Sequence, residues 1–294
     1  MQALVFYILY PFMWLISLLP FRVIYGLSDI CYVLVYRVLG YRKKVVMENL
    51  NLAFPNKNDE EKLRIASKFY KHLCDILFES LKSITISKQD IKKRFQVLNP
   101  EVINAIEADK QSTIVILGHY ASWEWTYVIQ LFTNAKGFGV YKKLKNKYFD
   151  KLVRDIRAKF GTELIHTKET VPKLLRSRAK GEISLSGFIA DQSPKLQKNQ
   201  YWSEFMGHQV PVFVGAETLA KKLNYAVAYC KIKKVKRGYY TAEFEIMTRE
   251  PKEYENFQIT EDFLRRLENQ IREAPEYYLW THKRWKHRKP LDSI

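Results

Sequence analysis

Gly118-His119-Tyr120-Ala121-Ser122-Trp123-Glu124 is the stretch of this chain best suited to moving a proton. An imidazole titrates near neutrality, and a carboxylate on one ring nitrogen fixes its tautomer and raises the basicity of the other. His119 and Glu124 stand five positions apart. On a continuous helix that spacing puts side chains on different faces, since neighbours are three or four apart. The two meet only if the chain turns between them. Such an arrangement makes His119 a general base for an alcohol, with Glu124 as its partner; a purely structural His–Glu hydrogen bond is the plainer reading.

The flanking residues supply the turn. Thr113-Ile114-Val115-Ile116-Leu117 is uncharged and mostly branched, and it is closed by Gly118, which reads as a buried β-strand running into a turn. His119 then falls outside the carboxyl end of a strand, where α/β sheets place ligands. Residues 123–132 read as a helix with Ser122 as N-cap, and Glu124 lies in its first turn, where the dipole favours a carboxylate. Two further strand ends carry polar groups. Lys142 closes the next strand, and Arg154 and Arg157 share a face of the helix after it, cations able to meet a phosphate or carboxylate. A solvated basic helix is the alternative. Asp191 and Gln192 end another apolar strand, as a turn former and its neighbour or as ligand-contacting groups.

Elements around these positions alternate. Helices are expected at 45–54, 59–83, 145–160, 169–179 and 216–223, and from 260 to just before Pro275. Strands are expected at 112–117, 137–142, 163–166, 183–190, 225–233 and 239–247, the last two joined by a hairpin at Lys236-Arg237-Gly238. That order predicts an α/β fold with a mixed, largely parallel sheet flanked by helices. Lys92-Lys93-Arg94 reads as a solvated basic face.

Of 294 residues, 47% are hydrophobic and 14% aromatic, so disorder is unsupported and the core is sizeable. Basic residues outnumber acidic ones 49 to 31, a net +18 that calls for an anionic partner: nucleic acid, an anionic membrane, or an acidic substrate or carrier. Cys31, Cys74 and Cys230 are too few and too scattered for a disulfide framework or a zinc site. No phosphate-binding glycine loop, dinucleotide fingerprint or Gly-x-Ser-x-Gly elbow occurs, and His208 has no second metal ligand spaced for it.

The amino terminus narrows the choice of partner. Residues 1–21 carry no charge, Pro11 and Pro20 interrupt them, and a second apolar patch at 23–36 contains Asp29. Residues 1–39 thus read as one spanning helix or a helical pair lying in one leaflet, with core helices as the plainer alternative. Arg22, Arg37, Arg42, Lys43 and Lys44 give a cytoplasmic-side charge pattern. The expected division is an anchoring segment at 1–39 and one domain at 40–294. The tail from Tyr277 to Arg288 mixes aromatic and basic residues, which suits bases or lipid; beside an apolar terminus lipid is favoured over nucleic acid.

Taken together, the chain resembles the bacterial lipid A biosynthesis acyltransferases, the acyl-carrier-protein-dependent lauroyl/myristoyl group, over nearly its whole length. The resemblance rests on several segments in order. They are Gly118–Glu124 with its His-(four residues)-Glu block, Val140-Tyr141-Lys142 with Arg157, and Asp191-Gln192. Phe205-Met206-Gly207 with Ala216-Glu217-Thr218-Leu219-Ala220 follows, then the closing Tyr278-Leu279-Trp280-Thr281-His282-Lys283-Arg284-Trp285-Lys286. Two departures stand out. Lys142 replaces an arginine, and Glu217-Thr218 replaces small residues, which would reshape an acyl pocket.

The resemblance implies a glycerolipid-acyltransferase-like fold at the bacterial inner membrane, with the site on the cytoplasmic side. It implies transfer of a fatty acyl chain from acyl carrier protein to a hydroxyl of a lipid A precursor or similar anionic glycolipid. His119 and Glu124 would be catalytic, with Lys142, Arg157, Asp191 and Gln192 binding substrate; Lys142 or Arg157 would hold phosphate or the oxyanion, and no cofactor or metal is needed. A glycerolipid or ornithine-lipid acyltransferase is the alternative enzyme, although a Glu-Gly-Thr block is missing. A non-catalytic basic membrane-binding protein is the alternative of another class.

Overall fold

The computed structural model describes residues 2–290. Helices α1 (Gln2–Leu18) and α2 (Phe21–Tyr32) are separated by Pro20, and α2 runs into a π-helical turn at Val33–Val38. Then come α3 (Lys43–Ala53), α4 (Asp59–Lys82), α5 (Lys88–Arg94), β1 (Phe95–Val97), α6 (Pro100–Ala108) and β2 (Thr113–Leu117). A 3-10 helix at Trp123–Phe132 leads to β3 (Lys136–Tyr141), α7 (Lys147–Ala158), β4 (Glu163–His166), α8 (Thr170–Ala179) and β5 (Ser184–Ile189). The chain continues through the hairpin β6 (Trp202–Phe205) and β7 (His208–Pro211), α9 (Gly215–Leu223), β8 (Ala226–Lys236), β9 (Tyr239–Thr248) and α10 (Gln258–Glu273).

Seven strands form one sheet in the order β1-β9-β8-β2-β5-β3-β4. Every pairing in it is parallel except the β8–β9 hairpin. The expected mixed, largely parallel sheet flanked by helices is therefore present. β2 lies at its centre with all five residues buried, as a branched, uncharged run between two layers of helices requires. Gly118 follows because a Cβ there would come within 2.7 Å of Leu267 Cδ1 on α10. Helix and sheet approach too closely for a side chain.

Several expectations change. Residues 123–132 form a 3-10 rather than an α-helix, and Ser122 makes no side-chain cap. Its aromatic and β-branched residues lose rotamer freedom against a preceding α-turn. Elements α5, β1, α6 and the β6–β7 hairpin are too short to show a period. Arg94 does not sit on a solvated face: its guanidinium lies over the Phe21 ring, 3.3 Å from the centroid, and donates to Gly238 O at 3.2 Å.

The amino-terminal helices dock on α4. Asn58 and Glu61 close a capping box at its start, and acidic residues fill its first turn. At its far end Lys82 Nζ donates to the carbonyls of Ser17 and Leu19 at 2.8 and 2.9 Å, satisfying the end of α1. Arg237, at the β8–β9 turn, bridges Asp29 of α2 and Asp75 of α4 at 2.8 and 2.6 Å. Among the described residues no single helix is long and apolar enough to cross a membrane; Phe21–Val38 with Lys43–Ala53 meets that length and composition only as a pair bent by 84°. At about 1.5 Å per residue, the 17 residues of α1 fall short of a hydrocarbon core of about 30 Å.

Glu217 serves the start of a helix. Its buried carboxylate accepts from the amides of Phe257 and Thr260 at 2.6 and 2.9 Å and from Thr260 Oγ1 at 2.7 Å, while Lys221 Nζ stands 3.0 Å away. It thus satisfies the free donors at the start of α10, whose N-cap residue Phe257 is left-handed at φ 73°. Glu217→Ala leaves those donors buried and unpaired, so it is expected to cost about 2–4 kcal/mol in chemical denaturation. A cost under 0.5 kcal/mol would contradict that capping role.

Candidate active site

β2 and β5 are neighbours, parallel and in register, with Leu117 opposite Ile189. Each strand carries a polar side chain two residues past its last residue, His119 on one and Asp191 on the other. Equal offsets from paired ends bring the two together. His119 Nδ1 lies 2.7 Å from Asp191 Oδ1, and Asp191 is 1% exposed. This carboxylate, rather than that of Glu124, holds the imidazole.

Glu124 faces α7 instead. Its Oε2 accepts from Arg157 Nη2 at 2.6 Å and its Oε1 from Trp123 Nε1 at 3.2 Å. The 3-10 helix carries Glu124 past the ring of His119 toward a cation that neutralises it, so the expected His119–Glu124 hydrogen bond does not form. Glu124 still acts on the ring through space. Burial opposes charge on His119, but the Asp191 carboxylate, by charge and hydrogen bond, and then Glu124 hold its pKa above the ordinary value. Burial likewise favours the neutral acid at Asp191, yet His119 and backbone hydrogen bonds keep it below the usual carboxylate range.

The carboxyl-terminal segment locks this turn. Ala121 N donates to Tyr277 O at 2.9 Å and Leu279 N to His119 O at 3.1 Å, and Tyr120 and Tyr278 form an antiparallel bridge. Ala121 is left-handed at φ 48°, a conformation disfavoured for any residue with a Cβ, and these two bonds hold it there. The Tyr278 hydroxyl faces Asp191, whose charge, after burial, raises its pKa. His282 Nε2 accepts from Ser193 N at 3.2 Å, and burial pushes its pKa down to about 4, so it is the neutral acceptor this bond needs. Arg284, 1% exposed, feels the Asp191 charge and donates to Pro211 O at 3.2 Å.

These contacts overturn the lipid-facing reading of the tail. Tyr278, Trp280, Arg284 and Trp285 are all buried, whereas Lys283 and Lys286 face solvent. Trp280 and Trp285 stack at 6.1 Å and Trp285 on Phe205 at 5.8 Å, which spends the aromatics inside the core.

An apolar crevice opens beside the pair, with an empty volume of about 730 Å³, open mouth included. Leu117, Ile189, Val140 and Leu164 line it, and Glu124 and Arg157 stand on its wall. Gly139 and Gly187 lie opposite each other in register and both line it, so adjacent strands contribute no side chain there. Trp123, also on its wall, meets the His119 ring edge-on at 5.6 Å. Of the other expected site residues, Gln192 reaches His119 Nε2 at 3.3 Å. Lys142 is exposed just past β3, and no hydrogen bond or ion pair joins it to His119, Glu124 or Arg157. Arg154 is exposed on α7. Tyr278, His282 and Arg284 stand in the closing segment that carries the resemblance, but their place beside the site was not legible, because the His282–Ser193 contact spans 89 residues of chain.

The arrangement can take a proton. Asp191 fixes the proton on Nδ1, leaving Nε2 a lone pair on which the Gln192 side chain rests at 3.3 Å. No cluster of three or more His, Cys, Asp or Glu side chains suited to a metal ion occurs among the described residues. A family model described as bacterial lipid A biosynthesis acyltransferase matches residues 1–287. The chain is also similar to the lipid A biosynthesis lauroyltransferase of Escherichia coli (strain K12): 24% identical over 279 residues, 94% of this chain and 89% of that protein.

Proposed function

The chain belongs to the bacterial lipid A biosynthesis acyltransferase family, and from that premise we propose that it moves a fatty acyl chain from an acyl carrier protein to a hydroxyl of a lipid A precursor, with His119 as the base. The observation that carries this reading is His119, held by Asp191 at the carboxyl end of β2 beside an apolar crevice. The acceptor hydroxyl gives its proton to Nε2 as its oxygen attacks the thioester carbonyl, and Asp191 stabilises the imidazolium that forms. The hydrocarbon chain lies in the crevice. Glu124 holds Arg157 on its wall at 2.6 Å, where the guanidinium is oriented for a phosphate or for the polar linker of the donor. Direct transfer is favoured, since among the described residues no Ser or Cys is bonded to His119 as a nucleophile.

The proposed setting is the cytoplasmic face of the bacterial inner membrane. Residues 1–39 form the anchoring segment and 40–294 the catalytic unit. Leu4, Ile8 and Phe12 of α1 are 64%, 53% and 62% exposed, apolar surface a water-soluble exterior does not favour. Lys142, Lys143, Lys145 and Lys147 are exposed where Asn146 donates to Gln2 O at 3.2 Å, so cations flank the start of that helix. Apolar surface bordered by lysine suits an anionic leaflet. The net +18 likewise suits an acidic carrier and a phosphorylated acceptor.

Mass spectrometry of lipid A from a strain lacking the protein is the test. Loss of one secondary acyl chain, restored by the wild-type chain and not by His119→Ala, is the expected result. Unchanged lipid A with altered polar lipids would move the acceptor to another lipid.

A further inference from the structure

Among the described residues, two polar side chains touch the His119 ring. Asp191 accepts from Nδ1, and the Gln192 side-chain nitrogen lies 3.3 Å from Nε2. The two facts constrain each other. With the proton on Nδ1, Nε2 is a lone pair, so whatever rests on it must donate, and Gln192 must present its NH2 rather than its carbonyl. The resting base is therefore covered by an amide donor, at the point where the acceptor hydroxyl has to arrive.

Two cations were the natural choices for stabilising the oxyanion of a tetrahedral intermediate. Arg157 is committed to Glu124 at 2.6 Å, and Lys142 is exposed with no contact to the site. Neither touches His119. The amide of Gln192 does.

We propose that Gln192 is a catalytic donor: its side-chain NH2, parked on the His119 base in the free protein, donates to the carbonyl oxygen of the acyl thioester as that oxygen becomes anionic. This rests on the acyl-transfer reading above. The acceptor hydroxyl displaces the amide from Nε2. The hydroxyl proton passes to Nε2, the oxygen–carbon bond forms, and the carbonyl π pair moves onto its oxygen. The protonated Nε2 now donates and accepts nothing, so the amide cannot return to it while the oxyanion persists. Collapse re-forms the carbonyl, breaks the carbon–sulfur bond, and the leaving thiolate takes the proton back from Nε2. One proton transfer thus creates the anion and frees the donor that stabilises it. A donor aimed at developing charge contributes most where water is scarce, and the walls beside the pair are mostly apolar.

The test uses purified full-length protein in vesicles, with acyl carrier protein thioester and lipid A precursor, and thermal melts on every variant. Gln192→Ala is expected to lower kcat by about 10²–10³-fold, with KM for both substrates within about threefold. Gln192→Glu keeps the shape but puts an acceptor where a donor is needed, and should lose at least as much. Its added carboxylate also favours the imidazolium, so the acid limb of kcat/KM moves to higher pH. The other charged and titratable groups around the ring, Asp191, Glu124, Arg157 and His282, are the same in both proteins. Gln192→Asn should fall between Ala and wild type. A kcat within threefold of wild type for Gln192→Ala, or a loss confined to KM, overturns the assignment. If Gln192→Ala melts early, the shape-conserving Gln192→Glu decides. Wild-type protein that transfers nothing would instead sink the acyl-transfer reading, and the two failures are thereby told apart.

Discussion

Asp191→Asn is expected to lower kcat by about 10³–10⁴-fold while the protein stays folded, because an amide in place of that carboxylate neither secures the right tautomer nor stabilises the imidazolium. Glu124→Gln is expected to lose much less, about 10–100-fold, through a loosened Arg157 and a weaker through-space effect on the ring. The pH dependence separates the two. The His119 pKa is raised in the folded protein, chiefly by Asp191 working against burial. Base catalysis needs the neutral imidazole, so wild-type kcat/KM rises with pH through a value above the ordinary histidine range, about 6.5. Without the carboxylate burial prevails, and in Asp191→Asn the residual activity should rise at lower pH than in wild type. The stability signs agree. A raised His119 pKa stabilises the fold below the unfolded value and loses that contribution as pH climbs through the folded one, whereas the lowered Asp191 pKa stabilises at higher pH and is lost on acidification. Parallel kinetics and pH profiles check this; a loss in Glu124→Gln equal to that in Asp191→Asn would return the partner role to Glu124.

Replacing Leu4, Ile8, Phe12 and Leu15 with serine is expected to release the protein from anionic vesicles by more than about 10³-fold in partition. The four recur at helical spacing along α1 and are 64%, 53%, 62% and 54% exposed, so truncation costs the fold little. Fully burying such a side chain is worth about 1.5–3 kcal/mol; four of them, partly inserted, sum to about 4–6 kcal/mol. The side of α1 that holds the protein is left alone: Phe6 packs on Tyr148 and Phe149 of α7 at 5.6 and 5.2 Å. Vesicle flotation with a parallel melt reads the outcome. Retained binding with an unchanged melting temperature would refute the role of α1. Binding that persists but vanishes at high salt would assign attachment to the cations at 142–147 instead, since screened surface charge weakens with ionic strength.

Local chemistry was readable before any coordinates. The branched, uncharged run at 113–117 could only be a buried strand, and a glycine followed by histidine at its end marked the site, because strand, turn and loop are decided by residues near one another in the chain. The helix expected at 59–83 and the hairpin at Lys236-Arg237-Gly238 were legible for the same reason. What the chain order hid was pairing across distance. Asp191 becomes the partner of His119 because β5 lies against β2 in register, a contact between positions 72 residues apart. Nothing in the five-residue spacing of His119 and Glu124 disclosed that Arg157, from α7, would claim that carboxylate. The aromatic–basic tail looked like a lipid-facing surface because composition does not say which side of a segment turns inward. Only packing buries Trp280, Arg284 and Trp285 and leaves Lys283 and Lys286 in water.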